Sequence, residues 1–315
     1  MSGFPDIEYE LKKWSPYHVP PVHDRYQRNR GENHFTYSTG DTTFILQGTG
    51  LGDLMIIRQF GRAIHDFFIS EADPELGEVV ITTGAGPPAF NPDEGDVNLY
   101  WWWSFGHYDS MPEQYLDYYL DKTAIKPDVV LCPSARTERE AQQAGFETVR
   151  FPLGTYSFEP KSELKRGGFG YAGSPNHKQN AKENRVIGPF AENPNFEWVT
   201  HFRFPEELSL WYNQKMVTFG LHREGQRTWG MVNNRVFETL ASGTPFILEA
   251  HPTVNDVLGF EYPYQTSSKA ESKSLVNQIQ ENPESTFEEF HQYSELVRKK
   301  HSYYRRVETL VDYLS

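Results

Sequence analysis

Apolar residues along the chain gather in short runs, separated by stretches where they recur every three or four positions. The run TTFILQ (42–47) reads as a strand and ends in the glycine-rich GTGLGD (48–53). LMIIRQFGRAIHDFF (54–68) follows with apolar residues at helical spacing. GEVVITTG (77–84), DVNLYWWWS (96–104), KPDVVLCPS (126–134) and TVRFPLG (148–154) read as buried strands. MPEQYLDYYLDK (111–122) and ARTEREAQQAG (135–145) between them read as helices, the second closed by a glycine at a C-cap position. Apolar strands alternating with helices predict a parallel α/β sheet.

The polar stretch YSFEPKSELKRGG (156–168) interrupts this alternation and reads as a linker. The pattern then restarts with GFGYAGS (168–174), a helix in KENRVIGPFAE, FEWVTHF (196–202), PEELSLWYNQ (205–214) and KMVTFGLH (215–222). A helix within GMVNNRVFETLASG precedes the strands TPFILEA (244–250) and GFEYPYQT (259–266). The tail, 267–315, reads as helices only. The predicted organisation is an arm over 1–40, a first Rossmann-like domain over 41–155 and a linker over 156–168. A second Rossmann-like domain follows over 169–290, then a helix over 291–315 that returns to the first domain.

A chain of 315 residues accommodates two domains, each large enough to bury a core. The lone Cys132 in VVLCP cannot form an internal disulfide or a cysteine-cluster zinc site, and reads as a small core residue of a protein in a reducing compartment. The polar, proline-rich first residues hold no signal-like apolar stretch, and no run reaches the ~20 residues of a membrane span. The expectation is a soluble, cytoplasmic protein. The net charge of −13 is uneven: residues 1–155 carry 23 acidic and 12 basic side chains, residues 156–315 carry 20 and 18. An acidic first half suits a polyanion such as DNA poorly, although a local basic groove could override the count.

Two Rossmann-like halves, a linker and a helical tail form the layout of the GT-B glycosyltransferases, shared with sugar-nucleotide epimerases and phosphorylases. FETLASGTPFI resembles the donor-site signature of GT-B enzymes, in which a Glu stands five residues before the Gly of a small-Gly-Thr-Pro turn. Here these are Glu238 and Ser242-Gly243-Thr244-Pro245. The wider GMVNNRVFETLASGTPFILEAHPTVNDVL is most similar to the CgeB-like (spore-maturation) glycosyltransferases, and PDVVLCPSARTEREAQQAGFETVRFPLGTY matches the close of their first domain. The resemblance implies a GT-B architecture, two Rossmann-like parallel-sheet domains facing a central cleft, with a nucleoside-diphosphate sugar as co-substrate and no cofactor.

A helix N-terminus presents unpaired N–H groups and partial positive charge, which suits a diphosphate. Asn233 and Asn234 can cap it or donate to a ligand, and Arg223, Arg227 and Arg235 add charge. Glu238 resembles the carboxylate that accepts hydrogen bonds from ribose hydroxyls. Many retaining members place a second, sugar-binding Glu eight residues upstream, where this chain has Gly230, so sugar contacts fall to Glu224 or His222. Lys178, in the loop of GYAGSPNHKQN, is the candidate basic contact to the donor phosphates.

In GTGLGD, Gly48, Gly50 and Gly52 alternate, which does not meet the dinucleotide-binding fingerprint. The turn resembles the glycine-rich loops of heptosyltransferases and of starch and glycogen synthases. In heptosyltransferases the Asp at the position of Asp53 deprotonates the acceptor; an ordinary helix N-cap is the other reading of Asp53. WWWSFGHYDS sets His107 and Asp109 after a strand, His107 as a base, a sugar contact or a core histidine. No acidic cluster has metal-ligand spacing, and a helix terminus with basic side chains can carry leaving-group charge without a metal.

The expected activity is transfer of a sugar from a nucleoside-diphosphate donor, UDP-linked by preference, to a hydroxyl acceptor. The rival expectations are glycosylation of a modified DNA base, as in phage-type enzymes, a non-catalytic scaffold or coat protein that keeps the fold, and a sugar-nucleotide epimerase.

Overall fold

The computed structural model of the protein describes residues 33–39, 41–48, 51–70, 75–83, 95–103, 126–173, 181–199 and 204–315. Among these, six strands form one sheet in sequential order: β1 (Asn33–Thr39), β2 (Thr42–Gly48), β3 (Gly77–Thr83), β4 (Val97–Trp101), β5 (Val129–Cys132) and β6 (Glu147–Arg150). β1 pairs antiparallel with β2, with Phe35 opposite Leu46, and the other neighbours are parallel. β1 lies inside the expected N-terminal arm. Its alternating NHFTYST carries only two apolar residues, Phe35 and Tyr37, too weak a signal to stand out from the polar residues before it.

The β2 strand leads into α1 (Leu51–Ser70), which buries Ile56, Ile57, Phe60, Ile64 and Phe67. After β5, Ser134 caps α2 (Ala135–Gln143) in a capping box with Thr137.

A second sheet contains β7 (Phe169–Ala172), β8 (Phe196–Val199), β9 (Val217–Gly220), β10 (Phe246–Glu249) and β11 (Gln265–Thr266), all parallel, in the order β11-β10-β9-β7-β8. The chain runs outward from β7 to β8 and then returns to the other side of β7 as β9. The sheet therefore reverses direction between β7 and β9, and the crevice at their carboxyl ends is where such sheets bind ligands. Around this sheet lie α3 (Pro205–Asn213), α4 (Glu224–Thr228), α5 (Asn234–Ala241), α6 (Val254–Leu258), α7 (Lys269–Glu281) and α8 (Pro283–Lys300). The last helix, α9 (Tyr303–Leu314), packs on α1.

Three elements differ from their sequence patterns. The segment expected as a helix in KENRVIGPFAE forms a chain of turns. Asn184 Oδ1 accepts from the amides of Val186 (2.8 Å) and Ile187 (2.9 Å), a local alternative to helical bonding. GFEYPYQT yields only the two residues of β11, because Pro263 cannot supply a ladder N–H. The long terminal helix breaks at His301–Ser302, and Ser302 caps α9 by accepting from Arg305 N.

That break crosses the chain between the two halves. The Thr155 amide donates to the His301 carbonyl (3.0 Å) and the Tyr303 amide to the Thr155 carbonyl (2.9 Å). Gly154 is required there, since a Cβ would meet the His301 carbonyl at 2.5 Å. Arg306 Nε donates to the Pro152 carbonyl at 2.8 Å. Among the described residues no helix is long and apolar enough to cross a membrane.

Candidate functional site

The crevice between β7 and β9 is lined by the residues that leave these strands and β10. Tyr171 stands near the end of β7, Leu221 and His222 follow β9, and Glu249 closes β10. The start of α5 faces the same edge, with Asn233 at its N-cap.

Asn233 does not cap α5 with its side chain. Its Nδ2 donates to the Leu221 carbonyl (3.0 Å), and Oδ1 has no partner among the described residues. The α5 terminus thus begins without a side-chain cap or an acidic residue in its first turn. Its unpaired N–H groups and partial positive charge remain available to an anion. The Asn233 amide donates to His222 Nε2 (3.3 Å), which assigns the ring proton to Nδ1, an atom without a partner among the described residues. Burial, with His251, Arg235 and Arg227 nearby, keeps His222 neutral by pulling it well below the usual histidine range. The His251 ring lies 4.2 Å away, centroid to centroid, and burial lowers it to about 4.

Arg235 donates to the Tyr171 hydroxyl (2.9 Å), with its guanidinium 5.5 Å from the centre of that ring. Arg227 is already engaged by two carboxylates, Glu224 on its own helix and Glu249 at 3.0 Å. Arg223 occupies the N-cap of α4 and is exposed; its amide donates to Gln226 Oε1. Gly230 has φ +67°, a left-handed conformation that suits glycine, and packs against Thr253 and Ser134.

Glu238 is completely buried. Its Oε1 accepts from Asn234 Nδ2 (2.9 Å) and from Gln59 Nε2 (2.8 Å), the latter across the boundary between the two halves. Oε2 has no partner. Burial raises the carboxyl above its usual range against the opposing pull of these hydrogen bonds and Arg235. A buried acceptor left unpaired costs about 1–3 kcal/mol.

Further contacts join the halves beside Gln59. Arg58 lies 4.6 Å from the Phe204 ring centre and Arg62 pairs with Glu206 at 3.7 Å. Ser134 Oγ donates to the Trp229 carbonyl (2.5 Å), Arg136 to the Thr228 carbonyl (2.9 Å), and Trp102 packs on Trp229.

The structure thus brings His222, Asn233, Asn234, Arg235 and Glu238 to one helix start. Gly48 ends β2, and Gly52 and Asp53 fall in the first turn of α1, whose side chains there lie outside the described residues. Gly50, His107, Asp109 and Lys178 also lie outside them. Gln59, Tyr171 and His251 escaped the sequence reading. Gln59 did leave a trace, as an uncharged polar residue inside an apolar helical pattern. Among the described residues no group of three or more His, Cys, Asp or Glu could hold a metal ion.

Residues 175–312 match a family model described as glycosyl transferase-like. No curated protein sequence matches the chain. Among solved structures, T4 phage BGT in complex with its UDP-glucose substrate is similar with a TM-score of 0.51 at 10% identity, over 85% of this chain and 96% of that one. T4 phage BGT with UDP and Mn2+ is similar with a TM-score of 0.51 at 12% identity, over 83% and 94%. TarM is similar with a TM-score of 0.46 at 11% identity; 81% of this chain is covered, spanning 58% of the length of TarM. At such identities the likeness concerns the fold. The chain therefore has a GT-B fold, and the stretch 175–312 in its second half is similar to the glycosyl transferase-like model.

Proposed function

We propose that the protein transfers a sugar from a nucleoside-diphosphate sugar, UDP-linked, to a hydroxyl acceptor, with the CgeB-like enzymes as its nearest functional group. The observation that carries this reading is the uncapped start of α5 in the crevice between β7 and β9, with Asn233, Asn234, Arg235 and Glu238 around it. The diphosphate sits on the helix terminus, with Arg235 as its nearest guanidinium and Arg223 and Lys178 as further contacts. Arg227 enters this role only by leaving Glu224 or Glu249. Glu238 accepts the ribose hydroxyls, and His222 Nδ1–H donates to the transferred sugar. Asp53 is the base that takes the acceptor proton, with His107 as the other candidate. T4 phage BGT, of similar fold, binds UDP-glucose, which supports a UDP-sugar donor.

Calorimetric titration with UDP tests the donor site. Arg235→Ala removes a charge-assisted contact, worth about 1.5–3 kcal/mol, and weakens UDP by roughly 10- to 150-fold. Unchanged affinity would remove α5 from the site. Because positive charge comes from side chains and the helix terminus, transfer is expected to be metal-independent and to persist in excess chelator. Activity lost to chelator and regained with manganese would show the opposite.

A further inference from the structure

We infer that Gln59 is an intramolecular stand-in for a ribose hydroxyl, closing the donor site by occupying Glu238 from the other domain. This rests on the reading of Glu238 as the ribose contact. Gln59 lies on α1 and is completely buried. Its amide orientation is set from both ends: Oε1 accepts from the Tyr156 amide (2.8 Å) and Nε2 donates to Glu238 Oε1 (2.8 Å). One side chain therefore ties the first domain, the linker and α5 together. Its NH2 group is a neutral donor, the same chemistry that a ribose hydroxyl offers a carboxylate.

Glu238 is sealed. With no exposed surface on the carboxylate, a ribose cannot reach Oε2 in this arrangement, and Oε1 is already taken twice. A nucleotide gains the carboxylate only when α1 and α5 part, which also separates Arg62 from Glu206 on the same side of α1. The closed arrangement therefore competes with the donor, and apparent affinity falls with the fraction of molecules that are closed.

This arrangement has a signature that an ordinary structural glutamine lacks. Gln59→Leu deletes the bond to Glu238, which only the closed state makes, together with the acceptor for the Tyr156 amide, so it lowers the melting temperature of the protein without UDP while tightening UDP. Titration calorimetry should read a roughly tenfold lower Kd. Unchanged or weaker UDP binding overturns the inference. The parent protein is titrated with 2′-deoxy-UDP in parallel. Equal affinity for UDP and 2′-deoxy-UDP overturns the ribose reading of Glu238 itself, and this inference with it.

Gln59→Glu carries the test if the leucine variant does not fold. It keeps an acceptor for the Tyr156 amide but sets a second carboxyl against Glu238. The groups facing Glu238 are Asn234 and Arg235 on α5, Tyr212 on α3 and Tyr303 on α9. At pH 8 the two carboxylates repel and UDP binds more tightly than to the parent. At pH 5.5 they share a proton, the bridge re-forms and the advantage disappears. A ratio to the parent that stays constant between the two pH values overturns the inference.

Discussion

Asp53 stands in the first turn of α1, directly after the strand β2 that leads into it. As the proposed base it takes the proton of the acceptor hydroxyl, and a positioned base contributes on the order of 10²–10⁴ in rate. The helix starts at Leu51, so Asp53 lies inside the first turn and is not the N-cap, and Asp53→Asn keeps the size of the residue but not its basicity. The transfer rate should fall by about that factor while the UDP affinity and melting temperature stay near the parent's. Full transfer by this variant, with activity lost in His107→Ala, would move the role to His107. At this scale the sequence discloses residues that sit in one short motif. Asn233, Asn234, Arg235 and Glu238 come together because a single helix start carries them all. Gln59 and Tyr171 come from distant strands and helices, so only the fold brings them to Glu238 and Arg235.

α5 and α2 begin differently, and the contrast separates binding from packing. α5 starts without a side-chain cap beside the crevice, whereas α2 starts under a closed capping box. Ser134 has a second task, because its hydroxyl also donates to the Trp229 carbonyl of the other half. Ser134→Ala loses both the cap and the bridge between the halves. It should cost about 1–2 kcal/mol, read as a lower denaturant midpoint, and leave the UDP Kd of the folded protein within about twofold. A midpoint equal to the parent's would show that neither bond contributes. Elements with strong periodicity, such as α1 and the buried β5, are legible from the sequence because burial enforces the pattern. The turns over 181–192 are not, since the Asn184 side chain wins amides that an apolar pattern assigns to a helix. The break at His301 is equally silent. It is set by the tertiary pairing of Thr155 with His301 and Tyr303, which periodicity does not report.

Among the described residues, three buried histidines are held neutral where parts of the molecule meet. His222 and His251 lie at the carboxyl edge of the second sheet, and His301 lies at the crossing to α9. His301 donates from Nε2 to the Leu258 carbonyl, while Nδ1 faces Arg306. Burial holds His251 and His301 at about 4 and His222 well below its usual range. In the unfolded chain each titrates near 6.5. Between these values the unfolded state binds protons that the native state refuses, so the stability present at pH 7 is lost as pH falls from about 6.5 toward 4. By pH 5 His251 and His301 have each lost about 2 kcal/mol, a large part of a total stability of roughly 5–15 kcal/mol, and His222 acts in the same direction. Glu238 works in the opposite direction, since burial raises its carboxyl, but it is one group against three. Urea unfolding at pH 7 and pH 5 should therefore show a steep loss of stability. In His251→Asn the side-chain oxygen can replace Nδ1 as acceptor for the Thr253 amide without titrating. The difference between the two pH values should shrink by about 2 kcal/mol in that variant. An unchanged difference would mean that His251 takes up its proton without unfolding, and that the edge of the sheet opens to admit it.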